Sequence, residues 1–204
     1  PASVRVDSAV EQGDEITAFY DPMIAKLIAH GETREAAAEA LAAACAEVVA
    51  YPVHTNAGFL VRCLRHPDFL SADLDTGFIE RRREALLPAE RMPSRALLER
   101  AARAAVWTFG RDISPWSPTP ASLGFRLNAP QRSEVDLWLG DRRLAARPAH
   151  GPTRDLVATA DPEGGVVGFE AGDAYRFSTR PPSAAAGETA GDGAVRAPMP
   201  GRVT

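Results

Sequence analysis

Few residues of this chain carry side chains suited to catalysis, and they are scattered. Lysine occurs once in 204 residues, as Lys26, inside an apolar strand-like run where it could pair with an acid or extend its amine to solvent. The four histidines show neither i, i+4 nor clustered spacing, which argues against a metal site. No G-x-S-x-G phrase and no cysteine–histidine pattern marks a nucleophile. The residue types alone therefore predict neither a bound metal nor a catalytic centre.

Two charged residues, Arg5 and Asp21, are the remaining candidates for a functional role. Arg5 lies in the strand-like segment 4–7, where it could act as a catalytic cation or form a structural ion pair. Asp21 precedes Pro22, and an aspartate before proline is first of all a turn former. Chemistry alone leaves both alternatives open for each residue.

Charge, hydropathy and cysteine usage exclude several classes of partner. The net charge is −4 with both signs interspersed, so nothing favours nucleic acid or an anionic membrane. No apolar run approaches the ~18–20 residues of a spanning helix, and no signal peptide opens the chain. Cys45 and Cys63 lie on different predicted helices without CxxC spacing, which favours buried thiols in a reduced setting. We therefore expect a cytoplasmic protein without nucleic acid or membrane partners.

The first part of the chain, residues 1–87, has a mixed α and β pattern. Its predicted strands are residues 4–7, 15–20, 23–30 and 48–49. The Ala-rich stretch 34–47 predicts a helix, with Thr33 as its N-cap and Glu35 favouring the helix dipole. Asn56 and Thr76 are predicted to cap two further helices, the first stopped by Pro67 and the second running to Leu87.

The second part, residues 88–181, begins with a composition change at Leu87-Pro88. A helix is predicted after Pro93-Ser94, and because it is apolar on more than one face we expect other structure to enclose it. A proline-rich loop follows it. Six short strand-like runs come next: residues 123–127, 134–139, 142–146, 156–159, 166–169 and 174–179. Strands at this spacing predict an antiparallel barrel or sandwich.

The end of the chain differs in composition from both parts. Residues 182–194 are rich in Ala, Gly and Ser without periodicity, which predicts a flexible linker. A strand-like segment, residues 195–204, begins after it and contains the phrase Ala197-Pro198-Met199-Pro200-Gly201.

Several phrases in the first part resemble one family in the same order. They are residues 4–8, residues 20–31, Thr55-Asn56 and residues 75–80, the last reading Asp-Thr-Gly-Phe-Ile-Glu. Together they resemble the C-terminal subdomain of biotin carboxylases, which belong to the ATP-grasp fold. The resemblance implies an α+β subdomain of an enzyme that uses ATP, Mg²⁺ and bicarbonate to carboxylate biotin. It also implies that the nucleotide loop, the metal carboxylates and the catalytic arginine lie upstream, so that this fragment alone binds none of these cofactors and is inactive.

The second part resembles the BT domain of acyl-CoA carboxylase α subunits, a long helix held by an antiparallel β-barrel. The resemblance implies docking onto a carboxyltransferase β subunit. Pro115-Trp116-Ser117, followed by residues 124–128, looks most like the 3-methylcrotonyl-CoA branch. The family barrel has about eight strands, whereas this sequence offers five or six, so the barrel would be reduced or incomplete. Residues 195–204 resemble the start of a biotinyl carrier domain, and its biotinylated lysine is expected beyond Thr204.

The resemblance assigns roles to specific residues. Arg5 matches a position at the self-association surface between α subunits, and Asp21 matches one at the edge of the active site. Lys26 is not expected to carry biotin, because the modifying enzyme requires an exposed hairpin lysine. In the proline-rich loop, Ile113, Pro115 and Trp116 are the predicted docking hook for the β subunit, since tryptophan is enriched in interface hot spots.

Three alternatives remain open at the level of sequence. The α subunit could serve a propionyl-CoA or geranyl-CoA carboxylase, because the acyl-CoA pocket belongs to the carboxyltransferase. The chain could be a non-catalytic interaction module that contains a carboxylase remnant. Pyruvate carboxylase shares the pattern of the first part, but it is disfavoured because short strands and a carrier start follow here instead of a long (β/α)₈ barrel.

Overall fold

A computed structural model of the chain describes residues 3–16, 19, 23–109, 128, 134–149, 159–161 and 165–182. Its fold is α+β with two antiparallel sheets. The strands are β1 (Ser3–Ser8), β2 (Ala25–His30), β3 (Val135–Leu139), β4 (Arg142–Ala146), β5 (Thr159–Asp161), β6 (Gly165–Glu170) and β7 (Asp173–Ser178). The helices are α1 (Arg34–Ala46), α2 (Ala57–Leu64), α3 (Pro67–Leu70), α4 (Phe78–Arg81), α5 (Arg83–Leu86) and α6 (Arg95–Phe109).

Helix α1 forms as its sequence predicts and organises the first core. The hydroxyl oxygen of Thr33 accepts a hydrogen bond from the Ala36 N–H at 3.2 Å, which confirms the N-cap. Ala38, Ala42 and Cys45 lie on one face at helical spacing and are buried. They pack against α2, and the core is completed by Val61, Leu64, Leu41, Ala46, Leu60, Phe69 and Leu70.

Three local predictions in this part are wrong. Residues 48–49 are not a strand, because valine's β preference depends on a neighbouring strand and none in the described sheets runs beside them. Pro67 does not stop a helix but begins α3, since proline lacks only an N–H that the first turn leaves unused. Thr76 caps nothing: Asp75 Oδ1 accepts from the Gly77 N–H at 2.8 Å, and the expected helix is divided at Arg82 into α4 and α5.

Helix α6 covers one face of the larger sheet. It begins where predicted, with the Ser94 hydroxyl accepting from the Leu97 N–H at 3.1 Å. Its small residues Ala101, Ala102 and Ala105 are buried, as is Leu97. The same core contains Leu137, Ala146, Val166, Tyr175 and Phe177 from four strands. The prediction that other structure encloses this helix is confirmed on that face.

The larger sheet has the strand order β4-β3-β7-β6-β5, and all neighbours are antiparallel. In the described part of the chain β4 and β5 are its edges, and no closed barrel forms. Strands β3, β4, β6 and β7 occupy the predicted positions to within one residue. The predicted strand at 123–127 and most of that at 156–159 lie outside the described residues.

Gly168 of β6 permits the close approach of α6. A methyl group on this glycine would lie 2.7 Å from Cδ1 of Leu97, a side chain that is itself fully buried. Val166 and Gly168 face Phe177 and Tyr175 across the β6–β7 pair, so this strand face, helix α6 and the aromatic residues share one core. The absence of a side chain at position 168 therefore leaves room for the Leu97 side chain of α6 against the sheet.

A surface network of arginines and aspartates joins α3 to α4 and α5. Arg82 Nε donates to Asp68 Oδ2 at 2.8 Å, and Arg81 Nη1 donates to Asp75 Oδ1 at 2.7 Å. These hydrogen bonds are the main reason that the pKa of Asp68 and the pKa of Asp75 are lowered. Arg81 and Arg82 are thus partly exposed and paired.

The first prediction concerns Gly168→Ala. We expect it to lower the free energy of unfolding by about 1–3 kcal/mol, measured in urea, because Leu97 must leave its packed position. In a Leu97→Ala background the obstructing Cδ1 atom is absent, so the same substitution should cost clearly less. An equal cost in both backgrounds would show that the contact with Leu97 is not the cause.

The second prediction concerns acid stability. A carboxyl whose pKa is lowered on folding stabilises the native state above its unfolded pKa of about 4, and this contribution is lost as the pH falls through its native pKa. The stability difference between wild type and Asp68→Asn should therefore be largest near about pH 6 and shrink toward about pH 3, measured by urea unfolding. Arg82→Gln removes the hydrogen-bond partner of Asp68, so its stability difference from wild type should depend on pH in the same way. A difference independent of pH would contradict this origin.

Candidate functional site

Arg5 lies on the exposed strand β1, where its partner is a local acid. Its Nε lies 3.0 Å from Asp7 Oδ1 and its Nη2 donates to Asp7 Oδ2 at 3.1 Å. Residues two apart on a strand share a face, which is why this pair meets. The Arg5 side chain is nonetheless 70% exposed. A structural ion pair is therefore present, and the role of Arg5 in self-association stays a prediction.

The other predicted site residues fall mostly outside the described part of the chain. Asp21, at the predicted edge of the active site, lies outside it, as do Ile113, Pro115 and Trp116 of the predicted docking loop. Lys26 is described: it is the second residue of β2 and lies opposite Asp7 of β1, not in a hairpin turn. That Lys26 is not a biotin acceptor stays a prediction.

Metal and nucleophile chemistry find no support in the described residues. They contain no group of three or more His, Cys, Asp or Glu side chains that could hold a metal ion. Cys45 and Cys63 are both buried, and burial raises the pKa of each thiol. These cysteines are packing residues. No helix among the described residues is long and apolar enough to cross a bilayer.

The most elaborate polar site in the described residues is one that the sequence did not reveal. It lies at the turn between β6 and β7, residues 170–173, which we call the hairpin tip. Glu170 pairs with Asp173 across a two-residue turn in which Ala171 has φ 50° and Gly172 has φ 79°. Two successive positive φ values are those of a type I′ turn, the geometry that suits the twist of a tight hairpin.

Gly172 of the hairpin tip connects two helices of the first part. Its N–H donates to the carbonyl oxygen of Ala46, the last residue of α1, at 3.2 Å. Its carbonyl oxygen accepts from the N–H of Gly58, in the first turn of α2, at 3.1 Å. Helix ends leave such groups without intrahelical partners, and Asn56 makes no side-chain cap at α2. One residue of the hairpin thus satisfies a donor and an acceptor that the two helices leave open.

Asp173 is the buried acid of the same tip, with 8% of its surface exposed. Its Oδ2 accepts from Arg62 Nη1 of α2 at 2.7 Å, and its Oδ1 accepts from Arg91 Nη1. Arg62 also donates from Nε to the Leu86 carbonyl oxygen of α5 at 2.7 Å. Two arginines from separate segments therefore compensate the cost of burying this carboxylate.

Glu170 extends the contacts of the tip to helix α6. Its Oε2 accepts from the N–H of Ser94 at 2.8 Å, just before the helix begins. In an ordinary capping box the acid comes from the helix's own third residue, but here that position is Leu97, and the acid comes from β6. The hairpin tip therefore contacts the ends of α1, α2 and α6, and we call these contacts together the junction.

The junction has no space for additional side-chain atoms at its two glycines. A methyl group on Gly172 would lie 2.7 Å from the Gly58 nitrogen and 2.8 Å from the Cys45 carbonyl oxygen, both backbone atoms. A methyl group on Gly58 would collide with the Asp173 carboxylate. By contrast, Gly140, in the β3–β4 turn, has φ 56° and nothing within 4 Å. Gly140 and Gly172 both have a positive φ in a hairpin turn, but only Gly172 is enclosed by neighbouring atoms.

Sequence reasoning identified the turn and missed the junction. Gly172 and Asp173 carry an ordinary turn signal, and Arg62 lies on a helix whose arginine could simply be solvated. The contacts join residues 111 positions apart in the case of Arg62 and Asp173. No local pattern reports such a contact. The arrangement has no nucleophile or proton-transfer group positioned for reaction, so what it can do is fix geometry.

The comparisons with known proteins find one family model and several similar proteins. Residues 1–81 match the family model of the biotin carboxylase C-terminal domain. The chain is 36% identical over 146 residues to the methylcrotonoyl-CoA carboxylase subunit alpha of Dictyostelium discoideum, covering 70% of the chain and 21% of that protein. It is 30% identical over 178 residues to the propionyl-CoA carboxylase alpha chain of Ruegeria pomeroyi, covering 87% of the chain and 24% of that protein. A third relative, biotin carboxylase 1 of Bacillus subtilis, is 40% identical over 77 residues, which are 38% of the chain and 17% of that protein.

The lengths of these matches distinguish the C-terminal domain from the extension that follows it. The match to biotin carboxylase 1 is no longer than the C-terminal domain, whereas the matches to the two α subunits are longer than that domain and must include residues beyond it. The chain nevertheless spans only about a fifth to a quarter of those two relatives. Residues 1–81 therefore belong to the biotin carboxylase C-terminal domain family, and with the extension that follows them they are homologous to part of the α subunits of methylcrotonoyl-CoA and propionyl-CoA carboxylases.

Proposed function

We propose that this chain is part of the α subunit of an acyl-CoA carboxylase. Such an enzyme carboxylates biotin with ATP and bicarbonate and passes the carboxyl group to an acyl-CoA on a β subunit. The observation that carries the proposal is the similarity to two acyl-CoA carboxylase α subunits over 146 and 178 residues, more than the 81-residue carboxylase domain can account for.

Each segment has a separate task in this proposal. Residues 1–87 complete the wall of the carboxylase site, residues 88–181 dock the β subunit, residues 182–194 are the flexible tether and residues 195–204 begin the biotinyl carrier domain. A helix packed on an antiparallel sheet, as α6 is packed here, supports the assignment of the second segment as a BT domain. Biotin, ATP, Mg²⁺ and bicarbonate belong to the whole enzyme, and the chemistry they supply is biotin carboxylation.

The partners in this proposal are the β subunit and other α subunits. The β subunit would bind the loop containing Ile113, Pro115 and Trp116, because a proline-rich loop with a tryptophan offers a large apolar contact at low entropic cost. Other α subunits would meet the surface around Arg5, whose side chain remains largely exposed. Asp21 would help to position groups at the edge of the active site. The assembly would act in the cytoplasm.

The acyl-CoA substrate in this proposal is 3-methylcrotonyl-CoA. Identity to the methylcrotonoyl-CoA relative is 36%, compared with 30% for the propionyl-CoA relative, although the latter match covers more of the chain. The residues that contact the acyl group would belong to the β subunit, so propionyl-CoA and geranyl-CoA are the alternatives to test beside it.

The third prediction tests the proposed activity directly. The full-length α subunit containing this chain, biotinylated and mixed with candidate β subunits, should fix bicarbonate into 3-methylcrotonyl-CoA in the presence of ATP. Incorporation of labelled bicarbonate into acid-stable product is the measurement, with propionyl-CoA and geranyl-CoA in parallel. A higher rate with propionyl-CoA or geranyl-CoA would make that acyl-CoA the proposed substrate in place of 3-methylcrotonyl-CoA. Binding of a β subunit without any carboxylation would favour a non-catalytic interaction module instead.

The fourth prediction concerns the docking loop. Trp116→Ala in the full-length α subunit should weaken β-subunit binding by more than ~1 kcal/mol, equivalent to a rise in Kd of at least about five-fold, because a hot-spot aromatic side chain is lost. Ile79→Ala removes an exposed apolar side chain from α4 and is the matched control. Its Kd should equal that of the wild type. Unchanged binding by Trp116→Ala, measured by isothermal titration or interferometry, would remove this residue from the interface.

A further inference from the structure

We propose that the hairpin tip is a rigid intramolecular joint that holds the β-subunit-docking sheet in one orientation on the biotin carboxylase domain, with Gly172 and Asp173 as positioning residues for carboxyl transfer. The proposal rests on the proposed function for the meaning of the two parts. The joint itself rests only on contacts between described residues.

The joint is formed mainly by backbone contacts. Backbone groups make its two central hydrogen bonds, from Gly172 to Ala46 and from Gly58 to Gly172. A backbone group cannot follow a moving partner by changing its side-chain rotamer, as an arginine or glutamate on a surface can. Since both partners are helix ends fixed in the core of α1 and α2, a small rotation of the sheet would break both bonds together.

Charged side chains hold the connecting segment at the same point. Arg91 belongs to the stretch between α5 and α6 that links the two parts of the chain, and it meets the Asp173 carboxylate from there. Arg62 meets the same carboxylate from α2. The hairpin, the connecting segment and the carboxylase domain are thus held at a single buried acid. Ser94, at the start of α6, is fixed to Glu170 beside it.

The joint lies one strand before the predicted tether. Asp173 begins β7 and Ser178 ends it, after which the chain reaches the linker of residues 182–194. Five residue steps of a strand span about 17 Å, so a rotation of about 30° at the joint would move the far end of β7 by about 9 Å. The 13-residue linker has a typical reach of roughly 20 Å. Loss of orientation at the joint would therefore displace the tether by a substantial part of its reach.

A joint that sets an orientation and a contact that only adds stability would affect the two reactions of the enzyme differently. Carboxylation of free biotin takes place on the carboxylase domain and does not require the docking sheet to be oriented. The complete reaction requires the carrier to reach the carboxyltransferase on the docked β subunit. A fault at the joint should therefore lower the complete reaction while leaving the carboxylation of free biotin unchanged.

The test compares two glycine variants in the full-length α subunit. Gly172→Ala introduces both a positive-φ strain and a collision with the backbone of α1 and α2, whereas Gly140→Ala introduces the strain alone. Three quantities are measured for each: ATP-dependent carboxylation of free biotin, β-subunit binding and carboxylation of the acyl-CoA by the complex. Hydrogen exchange of peptides covering Gly58 reports whether the joint is closed.

We expect Gly172→Ala to keep free-biotin carboxylation and β-subunit binding, to exchange the Gly58 amide faster, and to lose about ten-fold or more of the acyl-CoA carboxylation rate. Gly140→Ala should match the wild type in all four measurements. If Gly172→Ala exchanges its Gly58 amide faster but keeps the wild-type rate of acyl-CoA carboxylation, the positioning role is overturned. A Gly58 amide that is unprotected in the wild type would overturn the joint itself.

Asp173→Asn gives the proposal a second, milder test in case Gly172→Ala does not fold. Asparagine keeps the shape of the side chain but removes its charge, so the two arginines lose their partner without a steric collision. The same selective loss of acyl-CoA carboxylation is expected, and equal losses in both reactions would contradict it. If the wild-type complex protects Gly58 but carboxylates no acyl-CoA, the proposed function fails while the joint stands.

Discussion

The arrangement of the two parts depends on one buried carboxylate, that of Asp173. Taking this group out of water is unfavourable unless charged partners replace the lost hydration. Arg62 and Arg91 supply that replacement from different segments, and the first turn of α2, whose partial charge is positive, lies against the same oxygens. The carboxylate is satisfied only when all three lie in this one arrangement.

That requirement explains the residues around it. Gly58 leaves the space that the carboxylate occupies, and Gly172 allows the turn to reach the backbone of α1 and α2. Buried ion pairs often contribute little net stability, because desolvation offsets attraction, yet they can select one geometry among several. In the enzyme proposed above, the carrier would move between two active sites, and we infer that the main contribution of this pair there would be a fixed geometry and not added stability.

How much could be predicted depended on how local each signal is. Thr33, Ser94 and the β3–β4 and β6–β7 hairpins were predictable, because caps and two-residue turns are set by neighbouring residues. The predictions for residues 48–49 and Thr76 were wrong, since valine needs a strand partner and Asp75, not Thr76, accepts a hydrogen bond from the Gly77 N–H ahead of α4. The junction could not be predicted, because Arg62 and Asp173 meet only through the tertiary fold and neither residue type is unusual at its position.

The most direct test of this account is a double-mutant cycle on Arg62 and Asp173. The free energy of unfolding in urea would be measured for wild type, Arg62→Ala, Asp173→Ala and the double variant. If the carboxylate couples the hairpin tip to α2, the double variant should lose about 1–3 kcal/mol less than the sum of the single losses. Losses that add to within about 0.5 kcal/mol would contradict the account, because the two residues would then contribute independently.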